Sequence, residues 1–186
     1  PASRYSRARQ VFAACAGAAI YRREVFEEIG YFDESHFAYL EDIDVGYRAK
    51  IFGYKNVYCP TAKVCHVGSG TSGSKYNSFK VRLAARNSVY LNYKNMPLPQ
   101  LLLNSVPLAA GMAVKYGLFR KIGFGADYVS GLKEGFSTRK NCYKVAYRPE
   151  HFKNYVRIQW ELIAGTALYV WEFGRRQLRK AAGRPV

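Results

Sequence analysis

Carboxylates are scarce in this sequence of 186 residues, in which Asp and Glu total 13 against 29 Lys and Arg. The formal net charge of +16 excludes an acidic protein and favours a polyanionic partner: nucleic acid, an anionic membrane surface or a phosphorylated substrate. Because the basic residues are dispersed and no RRM, KH or zinc-finger pattern is present, we expect no nucleic acid. A basic membrane- or polyanion-binding module without catalysis stays open as an alternative.

The sequence also lacks paired cysteines and long apolar runs. Its cysteines at positions 15, 59, 65 and 142 are too few to staple a secreted miniprotein, and no C-x-x-C pair indicates structural zinc. We therefore expect reduced thiols in a cytosolic compartment. Nothing near Pro1 resembles a signal peptide, so none is expected. No clean run of about 20 apolar residues predicts a membrane span.

Two shorter apolar stretches lie beyond Pro97. LLLNSVPLAAGMAVKYGLF is interrupted by polar residues and proline, and LIAGTALYVWEF is flanked by Arg157 and a later basic cluster. Both predict helices that lie on a membrane rather than cross it, with packing into a core or against a partner subunit as the alternative. We predict two parts, residues 1–97 and a helical, basic, membrane-associating tail over residues 98–186.

The few acids of the first part are concentrated. All eight carboxylates of residues 1–97 lie between Glu24 and Asp44. RREVFEEIG predicts one helix, and EDIDVGYRAKIFG predicts a second that begins with Glu41 and Asp42. These two acids lie off the apolar stripe of that helix. Such a pair can supply a general base for a substrate hydroxyl, although complementing the helix dipole is the simpler interpretation of the pair alone.

The segments after this helix carry weaker signals. KNVYCP and AKVCHV predict short β segments, and a helix should run from about Phe79 to Tyr93. A lone His66 precedes the loop GSGTSGS, whose residue order excludes a P-loop. That loop, with Lys75 and Arg86, could close over a diphosphate, but an ordinary connector fits equally well. Helix geometry separates the side chains of Asp42 and Asp44 by about 200°, so this D-x-D spelling should not hold one metal ion.

Taken in order, these segments resemble the C-terminal half of a family 2 glycosyltransferase catalytic domain of the bacterial rhamnosyltransferase-like kind. The resemblance covers about half of the chain and runs through Gly17, the segment EEIGYFDESHFAYLEDIDVGYRAKIFGY, His66 with its loop, and the pair Arg86-Asn87. It implies an α/β fold, the C-terminal half of the GT-A nucleotide-sugar transferase type, followed by a mainly helical tail.

The resemblance also implies an activity. Family members transfer a sugar with inversion from a nucleoside-diphosphate sugar to an acceptor hydroxyl, here on a cell-surface glycan or its lipid-linked precursor, with rhamnose as one candidate sugar. Asp42 matches the family's general base and Glu41 its companion carboxylate. The substrate-binding positions it implies are Gly17, Asp33, Lys75 and Arg86.

Finally, the resemblance implies a cofactor and a location. His66 resembles a ligand of a divalent cation, Mg²⁺ or Mn²⁺, shared with a D-x-D motif in an N-terminal half that is missing here; this chain alone should be inactive. We expect a cytoplasmic protein peripheral on the inner face of the plasma membrane. The sequence leaves the donor sugar and the oligomeric state open, a homo-oligomer included.

Overall fold

The computed structural model describes residues 6–65 and 76–181. The chain divides into two compact units, Pro1–Tyr147 and Arg148–Val186. In chain order the helices and strands are β1 (Arg9–Val11), α1 (Arg23–Ile29), α2 (Glu41–Ile51), β2 (Asn56–Tyr58), α3 (Ser78–Asn95), α4 (Leu98–Leu103), α5 (Ser105–Lys121), α6 (Gly125–Thr138) and α7 (Phe152–Ala181).

The described part of the chain is mainly helical, with one small sheet. β1 and β2 pair antiparallel, with Val11 opposite Asn56. The predicted β segment AKVCHV was wrong over residues 62–65, which form no strand. The strands β1 and β2 bond to each other, and this segment gains no ladder partner within the described residues. This composition fits the expected α/β class only loosely.

Helix α2 is the centre of the first core. Its predicted start at Glu41 is confirmed, as is the end of α1 before Gly30, which takes a φ of +82°. Every α2 residue from Asp44 to Ile51 is buried, so the buried surface of this helix extends beyond one apolar stripe. The aliphatic side chains Ile29, Val45 and Ala49 form this core, and aromatic residues of α1 and the flanking loops pack against it.

A second core joins α3 and α6. The longer helix expected from Phe79 is confirmed as α3, and its residues Val81 and Ala85 pack on Tyr128 of α6. The two helices approach closely at Gly131, where a Cβ atom would lie 2.2 Å from the carbonyl oxygen of Arg82. Pro97, after which we predicted the tail to begin, therefore lies inside the first compact unit.

The apolar stretches after Pro97 are helical. Residues of the first form α4 and α5, and no residue of α5 is buried. Those of the second fall within α7, a helix of 30 residues in the second unit. Among residues 6–65 and 76–181, no helix combines the length and the apolar character needed to cross a bilayer.

Candidate active site

The loop that leads into α2 has an unusual backbone. Phe37, Tyr39 and Leu40 have positive φ values of 58°, 69° and 67°, a region that residues other than glycine rarely adopt. Such conformations persist only where the surroundings impose them, and they cluster at functional sites. This loop ends at Glu41, the first residue of α2.

Asn87 of α3 holds this loop in place. Its Nδ2 lies 2.8 Å from the carbonyl oxygen of His36, 2.7 Å from that of Ala38 and 2.8 Å from that of Tyr39. The Asn87 side chain is fully buried, so these bonds are shielded from water. One amide therefore fixes the direction in which the chain enters α2.

Asp42 is positioned by backbone amides. Its Oδ2 accepts a hydrogen bond from the amide of Ala16 at 3.3 Å, and its Oδ1 accepts one from the amide of Ile43 at 2.8 Å. The side chain is partly exposed. Within the described ranges neither Asp42 nor Glu41 forms a salt bridge. Asp42 therefore keeps lone pairs that no cation of these ranges occupies.

Glu41 and Tyr21 add buried polar atoms to the same region. Glu41 Oε2 and the Tyr21 hydroxyl are both buried and have no hydrogen-bond partner among the described residues. Burial raises the pKa of Tyr21, and the charge of Asp42 raises it further, with smaller effects from Cys15 and Glu41. Because buried polar groups are normally bonded, these two atoms are available to a partner from outside the described residues.

Asp44, two residues further along, has the opposite environment. Its Oδ2 accepts from Arg48 Nε at 2.9 Å and from Lys94 Nζ at 3.0 Å, while its Oδ1 accepts from Asn95 at 2.7 Å. All four side chains are buried. Arg48 also donates to the carbonyl oxygens of residues 29–31 and so ties α1 and its following turn to α2.

Asp33, expected to bind substrate, belongs to this buried network. Its Oδ2 accepts from Lys94 Nζ at 2.7 Å, and its Oδ1 accepts from the amide of Ser35 at 2.9 Å. Burial alone would raise the pKa of Asp33, but the bond and charge of Lys94 and the bonds from Ser35 lower it overall. Its described contacts shape the turn before α2.

Arg86 was expected to bind a diphosphate, but in the structure its guanidinium group bonds to groups within the fold. It bonds to the carbonyl oxygens of Ser35 and His36 and pairs with Glu134 at 3.4 Å. A cavity of about 330 Å³ at the α3–α6 surface is lined by Arg82 and Arg86, but Asp127 and Glu134 also line it and balance their charge. This cavity does not contain the acid pair.

Of the remaining predicted positions, the structure describes Gly17 but not His66 or Lys75. Gly17 lies in the 3₁₀ turn Ala16–Ala18, directly after the amide that bonds Asp42. His66 and Lys75 lie outside the described residues. Over residues 6–65 and 76–181 no three His, Cys, Asp or Glu side chains come together as a metal site. The described residues alone therefore do not fit the implied cation.

Sequence reasoning assigned no role to Tyr21 or Asn87. Tyr21 lies 20 residues before Glu41, and Asn87 lies in another helix, α3, so helical periodicity did not connect either residue to the acid pair. For Asn87 the available signals were its place in the resemblance and a polar residue inside an otherwise packed helix. Only the tertiary structure shows that its amide supports the loop.

Comparison with known proteins gives two distinct glycosyltransferases. Over 107 residues the chain is 33% identical to N-acetylglucosaminyl-diphospho-decaprenol L-rhamnosyltransferase of Mycobacterium tuberculosis, covering 53% of this chain and 34% of that protein. It is 29% identical over 121 residues to the low-salt glycan biosynthesis hexosyltransferase Agl10 of Haloferax volcanii, covering 62% of this chain and 39% of that protein.

The chain thus spans between a third and two fifths of the length of these relatives. No family model matches the chain. No solved structure matches it either. The similarity supports a glycosyltransferase relationship over about half of the chain, in agreement with the expected class and with glycan biosynthesis.

Proposed function

We propose that this chain is part of an inverting glycosyltransferase in which Asp42 is the general base. The observation that carries the proposal is the environment of Asp42: a partly exposed carboxylate, held by two backbone amides, without a salt bridge in the described residues. The unsatisfied oxygen of Glu41 and hydroxyl of Tyr21 supply further polar atoms for a bound substrate. Relatives named as sugar transferases support this chemistry.

In the proposed reaction, an acceptor hydroxyl attacks the anomeric carbon of the donor sugar. The new bond forms between the acceptor oxygen and that carbon, while the bond from the carbon to the nucleoside diphosphate breaks. The proton of the acceptor hydroxyl moves to a carboxylate oxygen of Asp42, and the bond electrons leave with the diphosphate. Attack from the face opposite the leaving group inverts the anomeric centre.

The amide of Ala16 orients the base. A hydrogen bond from this amide to Oδ2 restricts rotation of the Asp42 carboxylate about its side-chain bonds. The neighbouring Glu41 carboxylate can accept a hydrogen bond from a second hydroxyl of the substrate, since no described residue bonds to its Oε2. Tyr21 can donate to an oxygen of donor or acceptor from the same region.

The names of the relatives suggest the substrate class. That of the M. tuberculosis protein specifies transfer of L-rhamnose to N-acetylglucosaminyl-diphospho-decaprenol, and Agl10 is named a hexosyltransferase. We therefore propose a nucleoside-diphosphate sugar as donor and a lipid-linked glycan at the inner face of the plasma membrane as acceptor. Rhamnose is a candidate donor sugar.

We also propose a divalent cation for the full-length protein. His66 would contribute one ligand, and acidic residues outside this sequence would provide the others. Such a cation would neutralise charge on the leaving diphosphate. The described residues do not form its site, so the steps above use only the groups of this chain.

The decisive experiment replaces Asp42 with asparagine in a full-length protein that contains this sequence. Asp42→Asn keeps the shape of the side chain and one oxygen that can accept from a backbone amide, but it replaces the other oxygen with an NH₂ group and removes the proton acceptor, so kcat should fall about 10²–10⁴-fold. Titration with the nucleoside-diphosphate sugar should give a Kd unchanged within about twofold, because the base contacts the acceptor hydroxyl.

Asp127→Asn is the matched control. Asp127 is a carboxylate in the first turn of α6 that accepts from Ser78 at 3.2 Å, and we assign it no part in the reaction. This variant should retain full turnover. An Asp42→Asn enzyme with wild-type kcat would remove Asp42 from the role of base.

A further inference from the structure

Helix α7 carries an exposed apolar stripe. Its members share one face of the helix, within an arc of about 100°. Their side chains are exposed, from 42% for Val156 to 72% for Leu178. The residues of this stripe, named here the α7 stripe, are Val156, Trp160, Ile163, Ala167, Val170, Trp171 and Leu178.

The other side of the helix carries its charges. The helical positions of Arg157, Arg175 and Arg179 lie outside the α7 stripe, together with Glu161 and Glu172. Arginine side chains at the border of an apolar face can extend their charged ends toward lipid headgroups. The helix is therefore amphipathic, with both tryptophans and several aliphatic side chains on one side and the arginines on the other, where Tyr169 and Phe173 are also exposed.

We infer that the α7 stripe docks in the plane of an anionic phospholipid membrane. From Val156 to Leu178 the stripe extends about 33 Å, and α7 is not apolar enough to cross a bilayer. Tryptophan prefers the membrane interface, and both tryptophans of the protein, Trp160 and Trp171, lie on the stripe. The arginines attract anionic headgroups, and the net charge of +16 adds to this attraction.

Charge argues against a second copy of the chain as the occupant. Cations lie near both ends of α7, with Lys153 and Arg157 at the start and Arg175, Arg176 and Arg179 at the end. Pairing of two copies along the stripe, parallel or antiparallel, would bring these cations together in excess over the two carboxylates of α7, Glu161 and Glu172. An anionic surface satisfies both ends at once.

The two tryptophans make the test direct, because fluorescence excited selectively in tryptophan reports on the α7 stripe in the unmodified 186-residue chain. We expect the emission to shift to shorter wavelength with phosphatidylcholine vesicles that contain phosphatidylglycerol. Brominated lipid should quench it, and added NaCl should weaken the binding. Vesicles of phosphatidylcholine alone should bind at least about tenfold more weakly.

A matched pair of variants tests which face binds. Ile163 lies on the stripe and Leu168 on the charged side, and both side chains are 47% exposed. Ile163→Glu should weaken vesicle binding by about tenfold or more, because a carboxylate would enter the apolar layer. Leu168→Glu adds the same charge and should change binding by about twofold or less. Circular dichroism of each variant checks that the helix content is unchanged.

Three results would overturn the inference: no change of emission with anionic vesicles, equal losses in the two variants, or a short-wavelength emission in lipid-free protein that accompanies a concentration-dependent dimer. The last result would indicate a second copy on the stripe. None of these readouts depends on sugar transfer. The membrane inference and the transferase proposal can therefore fail separately.

Discussion

Two carboxylates on one helix, Asp42 and Asp44, have opposite environments. Asp44 is fully buried and bonded to Arg48, Lys94 and Asn95. Asp42 is partly exposed and, among the described residues, accepts from two backbone amides. The Asp44 carboxylate forms its hydrogen bonds inside the fold, whereas the Asp42 carboxylate keeps acceptor capacity for a substrate.

The difference follows from helix geometry. Residues two apart on an α-helix point about 200° away from each other, so one faces the core when the other faces the edge. A buried charge persists only when it is paired, and Lys94 and Arg48 provide that pairing for Asp44. Within this short motif, Asp42 is therefore the acid that we propose for catalysis, and Asp44 is the acid that stabilises the fold.

The largest expected effect comes from removing the charge of the buried acid, Asp44. Asp44→Asn leaves two buried cations with one carboxylate fewer, so the free energy of unfolding should fall by about 3–5 kcal/mol. Asp42→Asn removes no salt bridge of the described residues and should lower it by less than about 1 kcal/mol. Urea denaturation of both variants measures the difference. Equal losses would show that the two acids are energetically alike.

Protonation of His36 tests the same core and should change its stability by a smaller amount. His36 is fully buried, and no described residue forms a hydrogen bond with either ring nitrogen. Asp44, Lys94, Asp33 and Arg86 act on it electrostatically. Burial lowers its pKa from the ordinary 6.5, more than the nearby carboxylates raise it. Below pH 6.5 the unfolded chain therefore binds a proton that the folded protein resists.

Stability should accordingly fall as the pH drops from 7.5 to 5.5. The slope contributed by His36 approaches about 1.4 kcal/mol per pH unit below pH 6.5. Asp33 acts in a different window, since its lowered pKa affects stability only as the pH approaches 3.8 and below. His36→Phe should keep the wild-type stability at pH 7.5 and lose this part of the slope. An identical slope in the variant would assign it to other groups.

Local patterns predicted the helices well. The acids that open α2, the glycine that ends α1 and the extent of α3 were readable because these features depend on neighbours in the chain. The opposite directions of Asp42 and Asp44 were also predictable from the helix repeat. The bonding of Asp44 was not, because Lys94 and Asn95 lie some 50 residues further along.

The candidate site shows the same limit. Glu41 and Asp42 could be selected from sequence, but the backbone of residues 37–40 could not be foreseen. Phe37, Tyr39 and Leu40 are not residues that favour positive φ, and the bonds from Asn87 hold the loop in that conformation. The burial of Arg48 and Lys50 in α2 likewise reflects tertiary packing, which the local sequence of the helix does not predict.

The smallest expected effect compares two tyrosine hydroxyls. Tyr21 has a buried hydroxyl that bonds to no described residue, whereas the Tyr47 hydroxyl donates to Gln100 at 3.0 Å. Tyr47→Phe should lower the free energy of unfolding by about 1 kcal/mol, because it leaves a buried amide oxygen with one bond fewer. Tyr21→Phe should leave stability unchanged or slightly raised, since it removes an unpaired polar group.

Thermal unfolding of both variants measures these changes. If Tyr21→Phe instead lost as much stability as Tyr47→Phe, its hydroxyl would be bonded within the folded chain and not available to a substrate. If stability is kept while the KM of the full-length enzyme for a sugar substrate rises, the hydroxyl belongs with Asp42 and Glu41. A polar group that contributes nothing to folding but is needed for binding is the distinguishing property of the open side of α2.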